Sequence, residues 1–161
     1  MTDFDAFTDL VVDSPVHVVT TAADGQRAGC LVGFAGQCSM EPARFAVWLS
    51  KVNHTYLLAR TADTLAVHLL GRDQRHLAER FGALCGARHD KFAGLDWSEG
   101  PGGAPVLGDA LAWFAGSVHA TFDTGDHVAF VLDPSRTRVS ETVRGPALSL
   151  RDTVDIAAGH P

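Results

Sequence analysis

The sequence predicts a mostly β, antiparallel fold with two or three short covering helices, on three observations. Runs of β-branched and apolar residues, among them Val16 to Thr21 and His127 to Leu132, end or begin on turn signals such as Asp24-Gly25 and Gly125-Asp126. Several of these runs, including Ala28 to Phe34 and Arg44 to Leu49, lack clean polar alternation, which predicts strands covered on both faces. One stretch, Gln74 to Cys85, instead repeats Leu77, Ala78, Phe81, Leu84 and Cys85 at helical spacing. At 161 residues the chain fits a single domain spanning 1–161.

In order, Phe4 to Val12 carries apolar residues at near-helical spacing and is expected to be a short amphipathic helix stopped by Asp13-Ser14-Pro15. The strands at 16–21, 28–34 and 44–50 are expected to form a meander, with Asp24-Gly25 as a hairpin turn and Ser39-Met40-Glu41-Pro42 as a second turn. A short helix over 53–60 and a strand from Leu65 to Leu70 follow, with His68 read as a satisfied core or interface histidine. Asp73 is the expected N-cap of the next helix and Gly86 its end. The stretch from Gly86 to Gly103 reads as a long connection. Pro105 to Leu107, Ala110 to Phe122 and His127 to Leu132 are strands, Pro134 is expected to break the last of them, and Ala147 to Leu150 is a final strand before a tail, 151–161, whose Val154 and Ile156 are expected to dock on the barrel or on a partner subunit.

Composition narrows the partners. The net charge of −6 and the absence of a basic stripe argue against nucleic acid and against an anionic membrane. No apolar run approaches a membrane span and the first residues are acidic, so the expected location is the cytoplasm. Three cysteines, Cys30, Cys38 and Cys85, are odd in number, lack CxxC spacing and are expected to be reduced. No HExxH or GxSxG motif occurs, so the metal expectation is none and nothing points to a serine nucleophile.

The stretch from Arg27 to Tyr56 carries the chemistry. A strand ending in Ser50-Lys51-Val52-Asn53-His54-Thr55 and feeding a helical turn has the residue types of a phosphate corner: a lysine charge, an asparagine that caps or donates, and a threonine hydroxyl. The same residues also describe an ordinary Asn-capped helix beside a solvated lysine, and residue type alone leaves both open.

Several stretches, in order, resemble the flavin reductase family of FMN-binding split-barrel proteins, related to the reductase components of two-component monooxygenases. They are Arg27-Ala28-Gly29-Cys30, Cys38-Ser39-Met40-Glu41-Pro42, Leu49-Ser50-Lys51-Val52-Asn53-His54-Thr55, Lys91-Phe92 with Gly94 and Trp97, and Gly125-Asp126-His127. The resemblance implies an antiparallel split β-barrel of Greek-key type. It also implies hydride transfer from NADH or NADPH to FMN, with FAD as an alternative, and delivery of reduced flavin to oxygen or a partner monooxygenase. A homodimer with the flavin near the subunit boundary is implied too, and the 46% hydrophobic content agrees with a buried interface.

Residue by residue, the resemblance assigns phosphate contacts to Lys51, Asn53 and Thr55, beside Ser50. It assigns the flavin border to Cys30, Leu31, Val32, Gly33, Gln37, Cys38 and Ser39, the nicotinamide side to His127, and the same region to Phe92. For His127 the residues alone also fit a strand-start histidine bonded to Asp126. The chain departs from the family where Leu31, Gly33 and Gly36 replace small hydroxyl residues and Ser50 replaces a common Asn. Lost hydroxyls weaken flavin binding, which leaves open FMN as a passing substrate, FAD, a deazaflavin or a tetrapyrrole. Two other readings stay open beside the enzyme: a non-catalytic flavin-binding module, and a structural dimer with a vestigial pocket.

Overall fold

Strands that read as apolar throughout are explained by what lies on each face. A computed structural model describes residues 2–10 and 13–160; Val11 and Val12, the expected end of the first helix, lie outside the described residues. Its elements in order are α1 (Asp3–Leu10), β1 (His17–Ala23), β2 (Gln26–Val32), β3 (Ala35–Met40), β4 (Ala43–Ser50), α2 (His54–Ala59), β5 (Thr64–Leu69), α3 (Arg75–Ala83), β6 (Trp97–Glu99), β7 (Pro105–Leu107), β8 (Ala112–Asp123) and β9 (His127–Val139). Within β5, Leu65 and Val67 face the barrel interior with Val19, Val47, Leu49 and Phe130. Its other face is covered as well: Ala66 packs with Val106 and Trp113, and neighbouring Val16, Val18 and Leu70 meet Leu77 and Phe81 of α3.

Among the described residues seven strands form one antiparallel sheet in the order β2-β1-β5-β8-β9-β4-β3. The two edge strands, β2 and β3, are consecutive in the chain and separated only by Gly33 and Phe34. A sheet whose outermost strands are joined by two residues must curl until its edges nearly meet, yet no ladder joins them, so the barrel is split at Gly33-Phe34. The β1–β2 hairpin turns at Asp24 and Gly25, both in the left-handed region (φ 52° and 73°), as a two-residue turn requires.

The architecture is the expected split barrel, while several elements differ from expectation. The meander is replaced by a crossover: β4 pairs with β9 and β3 rather than with β2, and residues 35–40, expected to lead into a turn, form the edge strand β3. The N-cap position of helix α3 falls at Gln74, not Asp73, and carries no side-chain cap: the Gln74 amide is spent accepting from the Gly71 N–H and donating to the Asp109 carbonyl. It ends at Ala83, short of Gly86. The long connection contains β6, which pairs with β7. β9 runs through Pro134 to Val139, because beyond Leu132 it has only β8 as neighbour and the ladder shifts register near Gly116, where a missing N–H is tolerated. Residues 147–150 make isolated bridges, Gly71 to Ala147 and Pro15 to Ser149, rather than a strand.

Candidate functional site

The break between β2 and β3 opens onto a groove. Two adjoining cavities of about 570 and 640 Å³ share Gly33, Phe34, Trp48, Asp126, His127 and Leu150. The larger extends along Cys30, Leu31 and Val32 of β2 to Ser50, Val52 and Asn53 at the end of β4. Because β2 pairs on one side only, with β1, its second edge leaves backbone groups available along this wall.

His127 begins β9 opposite Ser50 of β4, so the ladder itself sets both residues at the mouth. The turn before it is tied by the Thr124 N–H donating to the His127 carbonyl at 3.0 Å and by the Lys51 N–H donating to the Asp126 carbonyl at 2.9 Å. The ring is fixed on two sides: Nδ1 lies 2.7 Å from Asp126 Oδ1 and the Phe34 ring sits 5.3 Å away, centre to centre. The bond to His127 holds the Asp126 carboxyl below the usual carboxylate range. Among the described residues Nε2 has no hydrogen-bond partner. A neutral ring donating from Nδ1 presents Nε2 as an acceptor, and a protonated ring presents it as a donor.

The corner after β4 is partly spent on itself. Lys51 Nζ reaches both carboxyl oxygens of Asp123, at 2.9 and 2.8 Å, across the β8–β9 turn. Asn53 caps α2 by accepting from the Thr55 N–H at 2.9 Å. Thr55 is only 1% exposed and is buried beside Cys30. Burial pushes the Cys30 thiol up, and Cys30 packs as an apolar side chain in the barrel interior with Val19, Val47 and Leu49.

The structure therefore brings Cys30, Leu31, Val32, Gly33, Ser50, Asn53 and His127 onto one groove. Lys51, paired with Asp123, and the buried Thr55 are close in sequence to groove residues but line neither cavity. Gln37, Cys38 and Ser39 sit on β3 outside the two cavities, with Gln37 and Cys38 exposed. Phe92 is 2% exposed and packs edge-on against Phe81, on the α3 side of the sheet. It borders a different cavity of about 560 Å³, lined also by Arg27, His54, Arg88 and Lys91. Reading the sequence missed Trp48, Asp126 and the C-terminal residues Leu150, Val154, Ala158 and His160. Asp126 carried a signal, being adjacent to His127, and Val154 carried one as an apolar residue of a tail expected to dock; Leu150, Ala158 and His160 carried none for the groove.

A family model described as the flavin reductase like domain matches residues 11–155. The chain belongs to the flavin reductase like family. Among its relatives, the reductase subunit HsaB of a flavin-dependent monooxygenase from Rhodococcus jostii is 32% identical over 127 residues, covering 78% of this chain and 64% of the relative. The stachydrine N-demethylase reductase subunit Stc3 of Rhizobium meliloti is 32% identical over 117 residues, covering 70% of this chain and 49% of the relative. The match thus spans about half to two-thirds of these relatives' lengths. The flavin reductase like fold extends to the NADH:FAD oxidoreductase SgcE6 of Streptomyces globisporus, with a TM-score of 0.79 over 92% of this chain and 89% of that one at 23% identity.

Proposed function

We propose that this chain is a flavin reductase, binding FMN or FAD in the groove at the barrel split and using NADH or NADPH as the reductant. The observation that carries the reading is the convergence at one mouth of an unpaired β2 edge, the Ser50 to Asn53 corner and a histidine with one ring nitrogen held by Asp126 and the other unpartnered. The groove fits a flavin: its volume lies in the range of small-molecule sites, Phe34 and Trp48 offer flat surfaces, and the β2 edge offers backbone groups to a polar ring edge. A bound flavin supplies the redox chemistry, accepting a hydride and its two electrons from the nicotinamide.

The chain's own residues bind, orient and exclude water. His127 Nε2 reaches toward a nicotinamide carboxamide or phosphate, and Asp126 keeps the imidazole from turning away. Lys51 and Asn53 stand where a flavin phosphate would meet the α2 corner, with Lys51 exchanging Asp123 for the phosphate. HsaB and Stc3 bear names of monooxygenase reductase subunits, which favours a monooxygenase as recipient of the reduced flavin. RutF of Methylorubrum extorquens, 31% identical over 114 residues, covering 71% of this chain and 55% of the relative, is named an NADH-dependent FMN reductase, and SgcE6 is named for FAD.

A single domain that dimerises fits the exposed apolar helix α1, where Phe4, Phe7 and Leu10 are 69%, 60% and 82% exposed. Three free cysteines favour the cytoplasm, and among the described residues no helix is long and apolar enough to cross a membrane. The test is titration of the purified chain with FMN and FAD, then anaerobic mixing with NADH and with NADPH. Saturable flavin binding followed by bleaching of the flavin absorbance supports the reading. Saturable binding without bleaching leaves a flavin-binding module, and absence of binding removes both.

A further inference from the structure

The C-terminal segment behaves as two pieces with different attachments. Residues 147–150 are built into the fold: the Leu148 N–H donates to Leu70 and its carbonyl accepts from Val16, Leu148 is 1% exposed, and the Leu150 N–H donates to Ser14. After a 3₁₀ turn at Arg151–Thr153, closed by Ser149 and Asp152, the chain folds back over the groove on a few surface attachments. Arg75 of α3 makes a bidentate pair with Asp155, 2.9 Å to each oxygen, and also bonds the Asp152 carbonyl. Ile156 packs into the α3 side of the core, near Leu31 and Gly82. The Gly159 N–H donates to the Gly82 carbonyl at 2.9 Å.

Gly159 meets the end of α3 so closely that a Cβ there would fall 2.1 Å from the Ala83 carbonyl oxygen and 2.6 Å from the Leu84 carbonyl carbon. Only a residue without a side chain docks in that place. The consequence for the groove is direct, since Val154, Ala158 and His160 form part of the wall of the larger cavity.

We propose that residues 154–160 are a hinged strap that closes one side of the groove, latched by Gly159 on the end of α3 and by Asp155 on Arg75, and that its undocking sets how fast flavin enters and leaves. The flavin half of this rests on the groove being the flavin site; the strap itself does not. Attachments this few, at a surface, open locally at far lower free energy than the core. The strap belongs among gating segments, whose motion limits exchange rather than chemistry.

Backbone hydrogen exchange reports the strap without any flavin, because the Gly159 N–H is bonded to the Gly82 carbonyl when the strap is docked. Exchange over residues 154–160, read by peptide mass, is to be compared in wild type, Gly159→Val and Asp155→Asn. Gly159→Val is expected to speed exchange over this segment at least about ten-fold and Asp155→Asn about two- to three-fold, with circular dichroism and melting near those of wild type. Stopped-flow displacement of FMN is expected to show a matching rise in dissociation rate. Unchanged exchange in a folded Gly159→Val protein overturns the strap. Faster exchange with an unchanged FMN dissociation rate overturns the gating role. Faster exchange in a protein that binds no flavin leaves the strap standing and removes the functional reading of the groove instead.

Discussion

His68 and His127 are the same side chain in two regions of one sheet, and the difference between them separates structure from site. His68 is fully buried between β1, β5 and β7, and both ring nitrogens are used by backbone. Nδ1 lies 2.9 Å from the Val18 carbonyl, and Nε2 accepts from the Leu107 N–H at 3.0 Å. The partners dictate the tautomer: Nδ1 carries the proton and Nε2 none. His127, at the split, has Nδ1 on an exposed carboxylate, Nε2 without a partner among the described residues, and a place in the lining of the groove. A group whose bonding capacity is exhausted by the fold can stabilise it and do little else, while one held on a single side keeps a bond for a ligand.

The largest expected effect belongs to the sealed region in acid. Desolvation lowers His68 from 6.5 to about 4, and protonating Nε2 would set two N–H groups against each other at Leu107. His17, 8% exposed with Nδ1 buried and without a partner among the described residues, is lowered to about 4 by the same desolvation. These are bases with depressed folded values, so the unfolded chain takes up protons first. Their stabilisation is full above pH 6.5 and drains away as the pH falls through the window down to about 4. On the order of 3 kcal/mol per histidine is at stake. The paired carboxylates act lower: Asp123, Asp133 and Asp155, held below 3.8 by Lys51, Arg44 and Arg75, lose their contribution only as the pH drops through that range. Urea unfolding at pH 7 and pH 4.5 should show the histidine loss, and equal stability at the two values would break the account of the sealed region.

Next in size is His68→Ala, which leaves the Leu107 N–H and the Val18 carbonyl unpaired beside a new void, at a cost of about 3 kcal/mol. His127→Ala should cost less than about 0.5 kcal/mol, since the residue lies at a solvent-facing turn. Denaturant curves of the two variants side by side test the contrast, and similar losses would erase it.

His127→Ala is expected instead to slow reduction of bound FMN about ten- to hundred-fold, or roughly 1.4 to 2.7 kcal/mol of transition-state stabilisation, while FMN affinity holds. Stopped-flow decay of the flavin absorbance measures this with NADH and NADPH. Unchanged decay with both would make His127 a strand-start residue bonded to Asp126 and nothing more.

How much of this contrast was legible follows from where the deciding contacts lie in the chain. His68 could be read as a core residue because its strand neighbours are apolar on both faces, but its two bonds come from residues fifty and thirty-nine positions away. The turn before His127 was legible because it is local. β3 was not, since Ala35-Gly36-Gln37-Cys38-Ser39-Met40 has no apolar period and is a strand only because β4 pairs with it. The apolar Val154 and Ile156 announce that the tail docks, but nothing in Ala158 or His160 announces that it lines the groove, because that placement is set by tertiary packing around one glycine.

The smallest effect sharpens the contrast at the corner after β4. Lys51 was expected from residue type to offer a free charge to phosphate, and in the fold it is already committed to Asp123. A phosphate must displace that carboxylate, so the gain on binding is a difference between two ion pairs, and both are exposed enough for solvent to screen them. Lys51→Ala is therefore expected to weaken FMN about ten-fold at most, and riboflavin, which lacks the phosphate, not at all. Asp123→Asn should act in the opposite direction, raising FMN affinity a few-fold by freeing Lys51 and removing a negative charge from the approach. Fluorescence titrations of both flavins against the two variants at low and high salt decide it. Parallel losses for FMN and riboflavin in Lys51→Ala would mean that the lysine supports the β8–β9 turn through Asp123, and that the phosphate is held elsewhere.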